Sequence, residues 1–277
     1  MAHDSGSGGR VDRVRDTLQA APVVVLAGAL VGIAQLPESA RRGLSFEYGD
    51  PTILTAYTAP FVHFSPSHLL GNVAVLLLAG FALSHLSRRA RSPWLFLGAL
   101  TVVISTLPAA VTLLNLAVPR PGVTYGFSGV NMALVGFLPI AVVRYAEWRL
   151  GRRIDAALLI AWFAASTGYV AAVAVPPSPI TAGVIGMSLA VVVAVVARAL
   201  ALGVPGSVPF SRLASDPSVV AGVGVWLGLL VVGFPRVSVV DGTVTNVYVH
   251  FLGYALGFTT AYLAHELEFV GARREWR

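Results

Sequence analysis

Serine, histidine and asparagine are costly inside apolar segments, yet this chain places several of them there in short, ordered groups. The stretch Phe61-Val-His-Phe-Ser-Pro-Ser-His-Leu-Leu-Gly-Asn72 carries His63, His68 and Asn72, the last two four apart and therefore on one helical face. Ser65, Pro66 and Ser67 signal a helix start just ahead of them. In Tyr125-Gly-Phe-Ser-Gly129, Gly126 and Gly129 flank Ser128 and allow the close backbone approach that an exposed nucleophile with neighbouring amide donors requires. This is not the elbow of soluble hydrolases, because Val130 stands where the second glycine would be and no strand precedes it. Asn246-Val-Tyr-Val-His-Phe-Leu-Gly-Tyr-Ala-Leu-Gly257 puts His250 about 6 Å below a helix end. His250 shares its face with Gly253 and Gly257, a small-residue stripe for close helix contact. The chemistry open to these groups is acyl transfer: a serine attacks, a histidine takes its proton, and amide-type donors hold the oxyanion. Each group also has a plainer reading, since Asn and His bridge membrane helices, small residues pack them, and a membrane histidine can line a proton or ion pathway. Asn131 joins the list of polar residues inside apolar spans, without an assigned role. His3 lies in the tail, and His85 and His265 fall at helix ends beside arginines, where interfacial side chains need no special role.

The elements that must position these groups follow from composition. The 277 residues are 56% hydrophobic and 12% charged, where soluble domains carry roughly 25% charge. Mean hydropathy is +0.77, which implies an all-α polytopic membrane protein. The absence of cysteine excludes disulfides, thiol nucleophiles, zinc–thiolate sites and iron–sulfur clusters. The net charge of +6 comes from arginines clustered beside apolar segments, which reads as topology and not as nucleic-acid binding. Residues 1–16 read as a flexible cytoplasmic tail without a cleavage site, and 17–277 as the transmembrane domain.

A span needs roughly 20 apolar residues. Such windows occur near 17–36, 67–86, 94–118, 128–145, 156–175, 180–201, 218–235 and 246–265, about eight in all. Pro176, Pro177, Ser178 and Pro179 mark a tight turn between the fifth and sixth. On this alternation Arg41, Arg42, Arg120 and Arg236 fall on one side and the other fifteen arginines on the opposite one. The positive-inside rule then makes both termini cytoplasmic and the chain a multi-pass protein of the cell membrane. The second, fourth and eighth spans all run inward, so His68, Asn72, Ser128 and His250 gather near one membrane face. The fourth and eighth are parallel, which makes a Ser–His dyad geometrically available. No Asp or Glu lies in the outer half of any span to complete a triad.

The chain resembles the rhomboid family of intramembrane serine proteases, which carry His-x4-His-x3-Asn at the second core helix, Gly-x-Ser-Gly at the fourth and His-x2-Gly-x3-Gly at the last. All three patterns occur here in order, from His63 to Gly257. The resemblance implies a six-helix core with two additional transmembrane helices, 180–235 forming an inserted helix pair. It implies Ser128 as nucleophile and His250 as general base and later acid. His68 and Asn72 would complete an oxyanion site with the Ser128 amide, and His63 and Gly126 would shape the floor and loop. It also implies no metal, no cofactor and no nucleic acid; the partners would be the lipid bilayer and transmembrane protein substrates, cut in or near their helices. Oligomeric state is not legible. Two departures stand out: Leu54 and Thr55 replace a first-loop Trp-Arg pair, and Met132 replaces a tyrosine that stacks on the histidine, where a thioether could still touch the ring. The alternative from another class is a non-catalytic rhomboid-like protein that binds membrane clients; such relatives typically lack the serine or histidine. A small transporter using His68, Asn72 and His250 ranks last, since no repeated half is visible.

Overall fold

Each of the eight apolar windows is helical in the computed structural model, which describes residues 6–118, 121–201, 210–236, 239–240 and 243–275. Helix α1 (Gly6–Ala34) begins inside the stretch expected as a flexible tail, so only the first five residues of that tail lie outside the described residues. The chain turns by 119° at Gln35–Pro37 into the short α2 (Glu38–Leu44). Strand β1 (Phe46–Glu47) and α3 (Ile53–Thr58) follow, and a 3-10 turn at Ala59–Phe61 leads to α4 (Pro66–Arg89). Pro66 at the first helical position and Ser65, whose hydroxyl accepts from the His68 amide, fix where α4 starts.

The third window, expected as one span, is two helices bent by 53°: α5 (Pro93–Ser105) and α6 (Leu107–Leu114). Pro108 has no N–H to continue the ladder and disfavours helical geometry in Leu107, so the break falls beside it. Strand β2 (Val123–Thr124) then pairs antiparallel with β1, Phe46 opposite Thr124 and Glu47 opposite Val123. This pairing ties the first loop to the segment that leads into α7 (Ser128–Leu150). Nearly every side chain from Gly129 to Glu147 is buried, making α7 the axis of the molecule, and Gly151 closes it in the left-handed conformation.

Helix α8 (Ala156–Ala174), capped by Asp155, pairs with α9 (Pro179–Ala201) across the proline-rich turn. After α10 (Phe210–Ala214), Asp216 caps α11 (Pro217–Gly233) by accepting from the Ser218 and Val219 amides. A minimal hairpin of β3 (Val239–Val240) and β4 (Thr243–Val244) precedes α12 (Val247–Glu275). The two helices of 180–235 pack on different partners: α9 lies along α8 with most of its surface exposed, whereas α11 packs against α7 and α4. Among the described residues four helices, α4, α7, α8 and α9, are each long and apolar enough to cross a membrane, and up to six spans result if each bent pair counts as one. Helix α11 is apolar but shorter, at 17 residues.

Charge collects at the end of the bundle where α7 and α12 finish. Arg144 pairs with Glu268 at 2.8 Å, Arg153 with Glu266, and Asp216 accepts from Tyr145 at 3.0 Å and Arg149 at 3.3 Å. His265, expected as interfacial, is instead only 1% exposed and lies 3.6 Å from Glu147. The reason is its register on α12, which packs against α7 and sets this ring beside Glu147. His85 is half-buried, its Nε2 3.0 Å from the Ser218 hydroxyl.

Candidate active site

Helix α7 begins at Ser128, which therefore sits half-buried at a helix N-terminus. The first backbone N–H groups of a helix lack intrahelical acceptors, and the helix dipole makes this end positive. The preceding turn is fixed from several sides. Gly126 adopts φ +103°, and a β-carbon there would lie 2.5 Å from His68 Cε1, so only glycine fits between the loop and the imidazole. Its amide donates to Ala59 O at 3.1 Å. Phe127 is buried against Phe61, with ring centroids 5.4 Å apart.

Beneath this turn lies a polar cluster built on Asn72. Asn72 Nδ2 donates to His68 O at 3.0 Å and lies 3.1 Å from His63 Nε2. The Phe127 amide approaches the same His63 nitrogen at 3.5 Å. With two donors facing Nε2, the His63 proton belongs on Nδ1. Burial, reinforced by the neighbouring His68, pushes the His63 imidazole down to about 4, so it is neutral at pH 7. Asn131, one turn below Ser128, donates to both the backbone oxygen and Oδ1 of Asn72, at 2.9 and 3.1 Å. The carboxamide of Asn72 is thus held at both ends, bridging α4 and α7. His68 packs edge-on to His63 at 5.1 Å and faces Tyr125 at 6.0 Å.

His250 is reached through close contact of α7 with α12. A β-carbon on Gly253 would lie 1.8 Å from Gly129 O, one on Gly257 2.1 Å from Ala133 O, and one on Gly136 2.3 Å from Tyr254 O. Residue numbers rise together along both helices, so they run parallel, as the count of intervening spans requires. Gly129 abuts Val249 as well as Gly253, which brings Ser128 and His250, their chain neighbours, to one level. Among the described residues no hydrogen bond joins the Ser128 hydroxyl to the imidazole. His250 Nδ1 instead meets Gly233 O at 2.6 Å. A carbonyl can only accept, so Nδ1 carries the proton and Nε2 keeps its lone pair. Gly233 is the last residue of α11, where helix carbonyls lack intrahelical donors.

All eight residues singled out in the sequence lie on these two clusters: His63, His68, Asn72, Gly126 and Ser128 around the serine turn, and His250, Gly253 and Gly257 on α12. Met132 packs its sulfur against Gly233, where a β-carbon would lie 2.5 Å away, and so touches the carbonyl partner of the imidazole. Gly233 was invisible as a site residue because its only signal is a carbonyl at a helix end. Arg41 was also missed, having been counted only for topology. Its guanidinium donates to His63 O and to Leu36 O and stacks over Phe64 at 5.1 Å, anchoring the first loop where Leu54 and Thr55 are largely exposed or turned to their own helix. The available hint was an arginine on the side of the membrane that arginines otherwise avoid. Among the described residues no cluster of His, Asp and Glu has the geometry of a metal site.

Comparison with known proteins gives one match: the rhomboid domain model covers residues 51–175. That interval contains His63, His68, Asn72, Gly126 and Ser128, and His250, Gly253 and Gly257 lie beyond it. No curated protein and no solved structure matches the chain. Residues 51–175 are thus similar to the rhomboid domain, and with its apolar helices the chain is an integral, multi-pass membrane protein.

Proposed function

We propose that the chain is an intramembrane serine endopeptidase that hydrolyses peptide bonds in or near the transmembrane helices of other membrane proteins. The observation that carries this reading is the hydrogen bond from His250 Nδ1 to Gly233 O, which leaves Nε2 as a base on the helix packed directly against the serine helix. In soluble triads a carboxylate orients the histidine. Here the α11 carbonyl takes that place, and the negative end of the helix dipole favours the imidazolium that forms.

In the reaction, His250 Nε2 removes the Ser128 hydroxyl proton as Oγ attacks the scissile carbonyl carbon, giving a tetrahedral oxyanion. The donors proposed for that charge are the Ser128 amide at the start of α7, His68 and Asn72, whose Nδ2 also ties down the His68 turn. The imidazolium returns its proton to the leaving amine, the C–N bond breaks, and an acyl-serine remains. Water then attacks the ester with His250 again as base, releasing the carboxylate product and restoring Ser128. No metal or cofactor is needed for any of these transfers.

The test is covalent labelling of the purified protein by a serine-reactive fluorophosphonate, with the adduct located by peptide mass. Labelling at Ser128 that disappears in His250→Ala supports an activated dyad. A folded wild type that does not label, in detergent and again in lipid, replaces this reading with that of a client-binding rhomboid-like protein.

A further inference from the structure

Between α4 and α11, toward the end of the bundle where the arginines of α4 lie, is a groove of about 360 Å³. Leu78, Phe81 and His85 line one wall and Ser218, Ala221 and Val225 the other. Each wall runs eight residues, about 10 Å of helix from first to last. It is apolar except at one end, where His85 Nε2 and the Ser218 hydroxyl meet at 3.0 Å. Among the described residues no helix covers its rim, where Leu78 is 53% and Phe81 42% exposed. At its floor the two helices touch: a β-carbon on Gly222 would lie 3.0 Å from Leu86 Cδ1. A gap of about 360 Å³ between helices already in contact has room for a hydrocarbon chain, whereas a helix 10–12 Å across would rest on its rim without filling it. The α4 stripe that lines it, Leu78, Ala82 and His85, continues one turn on to Arg89, an exposed cation at the polar mouth.

We propose that the α4–α11 groove binds an anionic phospholipid, one acyl chain lying between Leu78 and Val225 and the phosphate meeting Arg89 beside the His85–Ser218 pair. Apolar walls at membrane depth ending in a cation match the amphiphilic order of such a lipid, and the charge selects an anionic head group over a zwitterionic one. This site is separate from the Ser128 cluster, and the assignment does not depend on the peptidase reading.

The experiment is native mass spectrometry of the full-length protein released from detergent with phosphatidylglycerol or phosphatidylcholine of identical chains. Wild type is expected to retain phosphatidylglycerol preferentially. Arg89→Gln is expected to weaken that retention about fivefold, the change one surface arginine makes toward an anionic lipid. Ala221→Phe, which fills the groove from an exposed position, is expected to lose both lipids with an unchanged circular dichroism spectrum. Equal retention of the two lipids by wild type overturns the proposal, as does phosphatidylglycerol retention unchanged in Arg89→Gln. Displacement of the lipid by a synthetic leucine-alanine membrane-spanning peptide would assign the groove to a helix and overturn it equally. Should Ala221→Phe fail to fold, the exposed Arg89→Gln substitution decides alone.

Discussion

A buried carboxamide gains direction only when both of its ends are held, and that is the situation of Asn72. Its oxygen accepts from Asn131 and its nitrogen faces His63 and the His68 carbonyl. Asn131→Leu would leave the Asn72 oxygen unpaired in an apolar surrounding, at a cost of about 1–3 kcal/mol that thermal unfolding would read. Under the proposed mechanism Ser128→Ala and His250→Ala each lower cleavage about a thousandfold or more at unchanged melting temperature. Asn72→Ala lowers it and leaves residual activity, as is usual when oxyanion support is weakened. Equal cleavage by Ser128→Ala would remove the nucleophile. His63 sets a pH limit. Burial holds its imidazole down to about 4 in the fold against an ordinary value of 6.5, so above 6.5 both states are neutral and the fold is unpenalised. As pH falls from about 6.5 toward 4 the unfolded chain takes up the proton first. Stability is therefore expected to fall across that window in wild type and to fall less in His63→Gln, measured by unfolding at successive pH values.

Whether the clusters meet is decided by helices and by what lies between them. The α7–α12 interface is made by glycines whose hydrogens face backbone carbonyls. Gly253→Val would put a side chain on Gly129 O and is expected to destabilise by at least about 1–3 kcal/mol while separating Ser128 from His250. Gly224→Ala on α11, where a β-carbon meets nothing within 4 Å, is the matched control and is expected to be neutral or slightly stabilising. Helix α11 depends on its cap. Burial works against the Asp216 charge, but hydrogen bonds from Tyr145, the Ser218 and Val219 amides and Arg149 outweigh it and hold the carboxyl below its ordinary value. Asp216→Ala is expected to cost about 1 kcal/mol. Through α11 the same change should loosen Gly233 and lower the rate of fluorophosphonate labelling.

At the scale of the molecule, α7 is surrounded by α4, α11 and α12, α8 packs one face onto that core, and α9 lies outside it against α8. The absence of cysteine allows single introduced thiols to report sidedness without background. If both termini are cytoplasmic, as the arginine count predicts, an impermeant maleimide added to intact cells is expected to label Asp50→Cys and to spare Arg89→Cys; the reverse pattern would invert that orientation. Both positions are exposed at opposite ends of the bundle, so neither substitution disturbs packing.

Apolar content, the eight helical windows and the motif residues were legible in the sequence, because hydrophobic length and side-chain identity are local properties of the chain. So was the parallel course of α7 and α12, since parity depends only on counting spans. The bend at Thr106 was not, because one proline inside a long apolar window leaves mean hydropathy unchanged. Nor were the separate partners of α9 and α11, whose compositions are alike. Arg41 at the His63 carbonyl, Asn131 on Asn72 and Gly233 beneath His250 are contacts between residues 17 to 59 positions apart, and each involves a backbone oxygen, a group that every residue carries. Residue types fixed which chemistry was possible; only the packing of α4, α7, α11 and α12 decided which nitrogen of His250 is free, because that depends on where one helix happens to end.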